Sequence, residues 1–188
     1  MGSWAQAVIF PQKKQPGVAK ITQKSNSYQL ANKVLKASFI NTGGKLYFNG
    51  CSELGLQPDT ELFKVLLGDG STVAASKMKL EDVKIVTLGE DPSAATASLR
   101  YAGKALEARF TYGDLSITWR AVLRDGSHYL RTEMDIKAAR DLSMKGIVAM
   151  NYLVAKKSAY TAPEVVGNTR GAILASNHIF AGLEPQWV

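Results

Sequence analysis

Glu133 and Asp135 stand two residues apart in "GSHYLRTEMDIKA", residues 126–138. In an extended strand that spacing sets their α-carbons about 7 Å apart on one face. Glycosidases hold their two carboxyl groups roughly 5–9.5 Å apart, one protonating the leaving oxygen while the other attacks or activates water. On the same face Arg131 would keep one carboxyl ionised, and Tyr129 would stack on a sugar ring. The alternation is strict. His128, Leu130, Thr132, Met134 and Ile136 point one way, and Tyr129, Arg131, Glu133, Asp135 and Lys137 the other.

Any two acids at i and i+2 of a strand meet that separation. A catalytic acid also needs burial or a like-charge neighbour to raise its pKa, and Arg131 and Lys137 act in the opposite sense. The pattern therefore favours a solvated salt-bridge ladder, or an interface with a neighbouring domain. Contact with a ligand through Tyr129, Arg131 and Glu133 is the second reading and catalysis the third.

Other chemistry is sparse. Cys51 is the sole cysteine, so no internal disulfide forms, and with only His128 and His178 as bases it is expected to be a buried, inert thiol. The two histidines lack a locatable third metal ligand, and no HExxH, CxxC, Walker or GxSxG motif occurs. No catalytic residue, metal or cofactor is expected. Trp119 falls on the apolar face of its segment and is expected in the core. Trp4 and Trp187 lie near the termini, which leaves Tyr101, Tyr112, Tyr129 and Tyr152 as candidate sugar platforms.

The elements that would position these groups are strands. From Tyr28 onward the chain alternates and turns repeatedly: "YQLANKVLKASFI" to "NTGG", "KLYFNG", "ELFKVLL" to "GDGS", and "MKLEDVKIVTL" to "GEDPS". "TASLRY" and "ALEARFTY" read as a hairpin, followed by "LSITWRAVLR" and the ionic stripe. "DLSMKGIVAMNYLVA" reads as a bulged strand because of Gly146 and its β-branched neighbours. "GAILAS" and "HIFAGLE" read as a terminal pair. The implied fold is all-β, an antiparallel two-sheet β-sandwich with a closed barrel as the alternative. Residues 1–27 read as an irregular or edge-strand lead-in and 28–188 as the sandwich domain.

At 188 residues the chain is long enough to bury a core without disulfides or metal. Its net charge of +7 is scattered, densest at Lys13, Lys14, Lys20 and Lys24. A nucleic-acid interface would need a contiguous basic stripe with exposed aromatics, so a mildly cationic surface and no nucleic-acid partner are expected. No apolar run approaches the roughly 20 residues of a membrane helix. "MGSWAQAVIF" lacks the charged and apolar regions of a secretory leader.

"YQLANKVLKASFINTGGKLYFNG", "LEARFTYGDLSITWRAVLRDGSHYLRTEMDIKA" and "GNTRGAILASNHIFAGLEP" together resemble the galactose-mutarotase-like supersandwich domains of large bacterial glycoside hydrolases, over roughly residues 28–185. The motifs are loose, made of turns, aromatics and one arginine. The resemblance implies a non-catalytic domain of a secreted or periplasmic enzyme. Such a domain packs against a catalytic domain and contacts carbohydrate. A free-standing carbohydrate-binding module is the alternative. True mutarotases use a histidine and a glutamate, for which His178 and Glu184 are the late pair. Full-length relatives continue past the "GLE.P" segment, so the chain is expected to be part of a longer one.

Overall fold

The computed structural model describes residues 14–51, 60–96, 99–150, 164–166, 173–175 and 180–182. Every ladder among them is antiparallel, and a 3-10 turn spans Ala75–Lys77. In chain order the strands are β1 (Lys20–Lys24), β2 (Ser27–Ala31), β3 (Lys36–Thr42), β4 (Lys45–Cys51), β5 (Lys64–Leu67), β6 (Thr72–Ala74), β7 (Lys79–Leu88), β8 (Gly103–Tyr112), β9 (Leu115–Arg124), β10 (Arg131–Ala138), β11 (Met144–Val148), β12 (Glu164–Val166), β13 (Ile173–Ala175) and β14 (Phe180–Ala181). β1 to β4 form one meander and β7 to β10 another, each four-stranded; β11-β5-β6 and β12-β13-β14 are smaller sheets. The class is the all-β sandwich that the alternation implies.

Period-two patterning decides which faces meet. Ile21, Leu30, Ala37, Phe39, Leu46 and Phe48 line the inner face of the first meander, while Leu106, Ala108, Phe110, Ile117, Trp119, Ala121 and Leu123 line that of the second. The two faces join in one core. Phe39 meets Phe48 edge-on at 5.7 Å and Trp119 at 5.6 Å, and Phe63 meets Phe110 at 5.3 Å. Trp119 is fully buried, as its place on the apolar face implies, and Cys51 is buried too.

The hairpin joining β3 and β4 shows why turn chemistry punctuates the chain. Thr42 pairs with Lys45, leaving a two-residue loop in which Gly43 and Gly44 have φ of +60° and +71°. Successive left-handed residues match the strands' twist, and glycine adopts that backbone without Cβ strain.

The boundaries differ from the sequence reading in several places. "YQLANKVLKASFI" is two strands, because Asn32 turns the chain: its Oδ1 accepts the Val34 and Leu35 N–H groups, each at 2.9 Å. A short side chain that satisfies backbone donors locally offers an alternative to the ladder. "TASLRY" forms no strand at its described residues; β8 pairs instead with β7 and β9, whose ten-residue lengths match its own. The ionic stripe begins only at Arg131, since Ser127 holds Tyr129 in a turn through both its N–H (3.2 Å) and its carbonyl (2.9 Å). A short strand at Thr72–Ala74 is additional. The irregularity expected near Gly146 is present as a register shift between Met144 and Gly146.

The turn after β9 ties the sandwich's first sheet to its second. Asp125 Oδ1 accepts the Ala19 N–H at 2.7 Å, Asn32 Nδ2 donates to the Ser127 carbonyl at 2.7 Å, and the Gly126 N–H donates to the Gly17 carbonyl at 2.9 Å.

Candidate functional site: an ionic sheet face and the notch at its end

The outer face of the second meander takes its character from registration. Glu133 on β10 lies opposite Arg120 on β9, Arg120 opposite Glu107 on β8, and Glu107 opposite Lys84 on β7. The row therefore alternates in sign across all four strands. Opposed side chains in antiparallel strands have Cβ atoms about 4.5–5.5 Å apart, which suits direct ion pairing. Glu107 is the hub: one carboxylate oxygen is 2.9 Å from Lys84 Nζ and the other 2.6 Å from Arg120 Nε.

Glu107 is only 8% exposed. Burial by itself pushes its carboxyl upward, but the hydrogen bonds and charges of Lys84 and Arg120 outweigh it, and the group titrates below the ordinary glutamate value of 4.5. Glu81 is also lowered, chiefly by the Thr111 hydroxyl and then by Lys79. Glu107 and Glu81 are thus held as carboxylates by their neighbours. Glu133 has Arg131 Nη1 at 3.7 Å and Arg120 opposite it; Asp135 is exposed and has Lys137 Nζ at 3.7 Å. Neither has the secluded setting that a proton donor needs. The stripe thus carries the ion pairs Arg131–Glu133 and Lys137–Asp135 along one strand.

At one end the face changes. Arg124 follows Val122 on β9, Arg131 opens β10 opposite Val122, and Gly103 opens β8 opposite Arg124. Val122, Arg124, Ser127, Tyr129 and Arg131 line a small notch of about 10 Å³, room for roughly one water molecule. Tyr129 is 48% exposed there, and Tyr101, two residues ahead of Gly103, is 58% exposed at the same end of the sheet.

Arg124 is fixed by the glycine beside it. A Cβ at Gly103 would lie 2.5 Å from the Leu123 carbonyl oxygen, 2.9 Å from Arg124 Cα and 3.1 Å from Arg124 Cδ. The bare glycine lets the arginine lie across β8, where Nη1 donates to the carbonyls of Tyr101 (2.6 Å) and Gly89 (3.2 Å). Its Nε is buried and has no acceptor among the described residues.

Of the residues the sequence singled out, Tyr129 and Arg131 come together in the notch, whereas Glu133 sits beside it in the ladder. His178 and Glu184 lie outside the described residues, as do Trp4, Trp187 and Tyr152. Tyr112 is exposed but stands at the opposite end of β8 from Gly103, so it shares no platform with Tyr101 and Tyr129. Arg124, Ser127 and Gly103 were not singled out as site residues. The one available signal was that Arg124 continues the polar face of "LSITWRAVLR" into a "DGS" turn that returns the chain toward Tyr129.

No group of three or more His, Cys, Asp or Glu side chains among the described residues is arranged to hold a metal ion, and no helix there is long and apolar enough to cross a membrane. Comparison with protein-family models, curated proteins and solved structures finds no match for the chain.

Proposed function

We propose that the chain is a non-catalytic β-sandwich domain of a bacterial glycoside hydrolase, acting outside the cytoplasm, which packs against a catalytic domain and contacts glycan at the Tyr101–Tyr129 end of its second meander. The observation that carries this reading is the division of labour on one sheet face. Glu107, Glu133 and Asp135 there are paired with neighbouring lysines and arginines, while the sheet end presents two exposed tyrosines beside Arg124 and Arg131. Tyrosine rings present a flat apolar surface with a polar tip, suited to the C–H face and hydroxyls of a sugar, and guanidinium groups donate in a fixed fork to hydroxyl or carboxylate oxygens. The motif resemblance supplies the enzyme class.

A free-standing carbohydrate-binding module is the second reading, favoured by the same two tyrosines. A glycan array probed with the purified chain tests both. Saturable binding to one glycan family, weakened about tenfold in Tyr129→Ala by loss of roughly 1.4 kcal/mol of stacking, is the expected result. Binding that Tyr129→Ala and Arg131→Ala leave unchanged would remove the site from the account. Glycoside hydrolysis abolished by Glu133→Gln would overturn the non-catalytic reading.

A further inference from the structure

The charge of this protein is far from evenly spread. Residues 1–52 contain seven lysines, no arginine and no acid, while the remaining residues carry 16 basic and 16 acidic side chains, so the whole net charge of +7 belongs to the first 52 residues. The mildly cationic surface expected from the overall composition therefore divides into a first sheet whose charged residues are all lysines and a second sheet on which both signs are interleaved.

Alternation puts Lys20, Lys24, Lys36 and Lys45 on the outer face of β1 to β4, opposite the core. Lys20 aligns with Ala31 and Lys36, Thr22 with Gln29 and Ser38, and Lys24 with Ser27, Ile40 and Tyr47; Lys45 faces Thr42. Lys33 lies in the turn joining β2 and β3, and all five of these lysines are exposed. None of the five forms an ion pair among the described residues, whereas Lys79, Lys84, Arg120, Arg131, Lys137 and Arg140 of the later strands and turns all do. Asp125 reaches the Lys20 end of this sheet, where it accepts the Ala19 N–H.

Two strands of separation puts Lys20 and Lys36 about 10 Å apart, and four residues along β1 put Lys20 and Lys24 about 13 Å apart. The first distance is about one Debye length at 0.1 M salt, so the charges act together on a multivalent anion. Between them stand Thr22, Gln29 and Ser38, hydrogen-bonding side chains without apolar bulk. We propose that the outer face of β1 to β4 binds an acidic polysaccharide, its lysines facing the carboxylate or sulfate groups and the Thr22–Gln29–Ser38 row facing the hydroxyls. The face is not the one that carries the notch, so this inference stands apart from the proposed glycan contact. Nucleic acid fits less well. The first arginine of the chain is Arg100, and Tyr47, half-buried, is the aromatic side chain on this face, whereas single-stranded nucleic acid is held by stacking aromatics and arginine.

The test is binding of the full chain to polygalacturonate at 50 mM salt, with neutral dextran, single-stranded RNA and phosphatidylserine vesicles as comparators. Binding to polygalacturonate but not dextran is expected, falling at least tenfold between 50 and 200 mM salt. The double variant Lys20→Glu/Lys36→Glu should lose at least tenfold in affinity with its circular dichroism unchanged, and Lys137→Gln on the second sheet should stay within twofold. Absence of polygalacturonate binding would overturn the inference, as would equal weakening by Lys137→Gln. Tighter binding to RNA or to the vesicles would assign the face to that partner instead.

Discussion

Replacing Glu107 by glutamine tests whether the ionic face holds the second meander together. The carboxylate accepts from Lys84 Nζ at 2.9 Å and Arg120 Nε at 2.6 Å, and its side chain is 10% exposed against 50% and 37% for those partners. Removal of a fully buried charge partner costs about 3–5 kcal/mol, but here both cations reach water, which lowers the cost. The glutamine also turns an amide N–H₂ toward one of two cationic donors, so one charge-assisted bond is lost outright. A loss of about 2 kcal/mol follows, within the range for hydrogen bonds to charged groups. For a chain of this length that corresponds to a fall of roughly 4–8 °C in Tm. The effect depends on pH with a definite sign. Glu107 titrates below its ordinary 4.5, so the folded state favours the carboxylate. Its contribution is complete above the unfolded value and lost as pH falls through the folded one. Thermal melts of both proteins at pH 7 and at pH 3 should show the gap between them narrowing in acid. A gap below about 0.5 kcal/mol at pH 7 would mean that the row is only a surface arrangement of the weakly contributing kind, and a gap independent of pH would show that charge is not its origin.

Gly103→Ala should destabilise by about 1–3 kcal/mol, because the methyl group meets the Leu123 carbonyl and the Arg124 backbone, which cannot swing aside; urea melts measure the loss, and a neutral result would show that the strands separate freely there. Trp119→Ala should cost about 3–5 kcal/mol, since the fully buried ring packs on Phe39 and leaves a cavity between the sheets, again read from urea melts. Asp125→Ala should cost about 1.5–2 kcal/mol by freeing the Ala19 N–H, and hydrogen exchange at Ala19 should accelerate while exchange within β8 and β9 holds.

The fold class was legible because period two persists through nearly every segment, and apolar faces such as Leu115–Ile117–Trp119–Ala121–Leu123 admit one inward side. Boundaries were legible only where glycines marked them. Asn32 breaks "YQLANKVLKASFI" through side-chain hydrogen bonds that composition does not reveal, and Ser127 delays the start of β10 in the same way. The ladder was half legible. Alternation placed Glu133 and Arg131 on a polar face, but the row Glu133–Arg120–Glu107–Lys84 depends on the register of four strands, which no local pattern specifies. Glu107 was hidden further by its apolar neighbours Leu106 and Ala108. The notch has the same origin: Arg124, Ser127, Tyr129 and Arg131 meet because one turn folds back, and Gly103 clears the way from a different hairpin.

The most direct measurement is amide chemical-shift mapping of the labelled chain while a glycan selected on the array is titrated in. The account predicts saturable shifts clustered at residues 101–103 and 124–131, with the ladder positions Arg120, Glu133 and Asp135 little changed. Shifts centred on Glu133 and Asp135 with the notch silent would contradict it, and would return the ionic row to consideration as the working site.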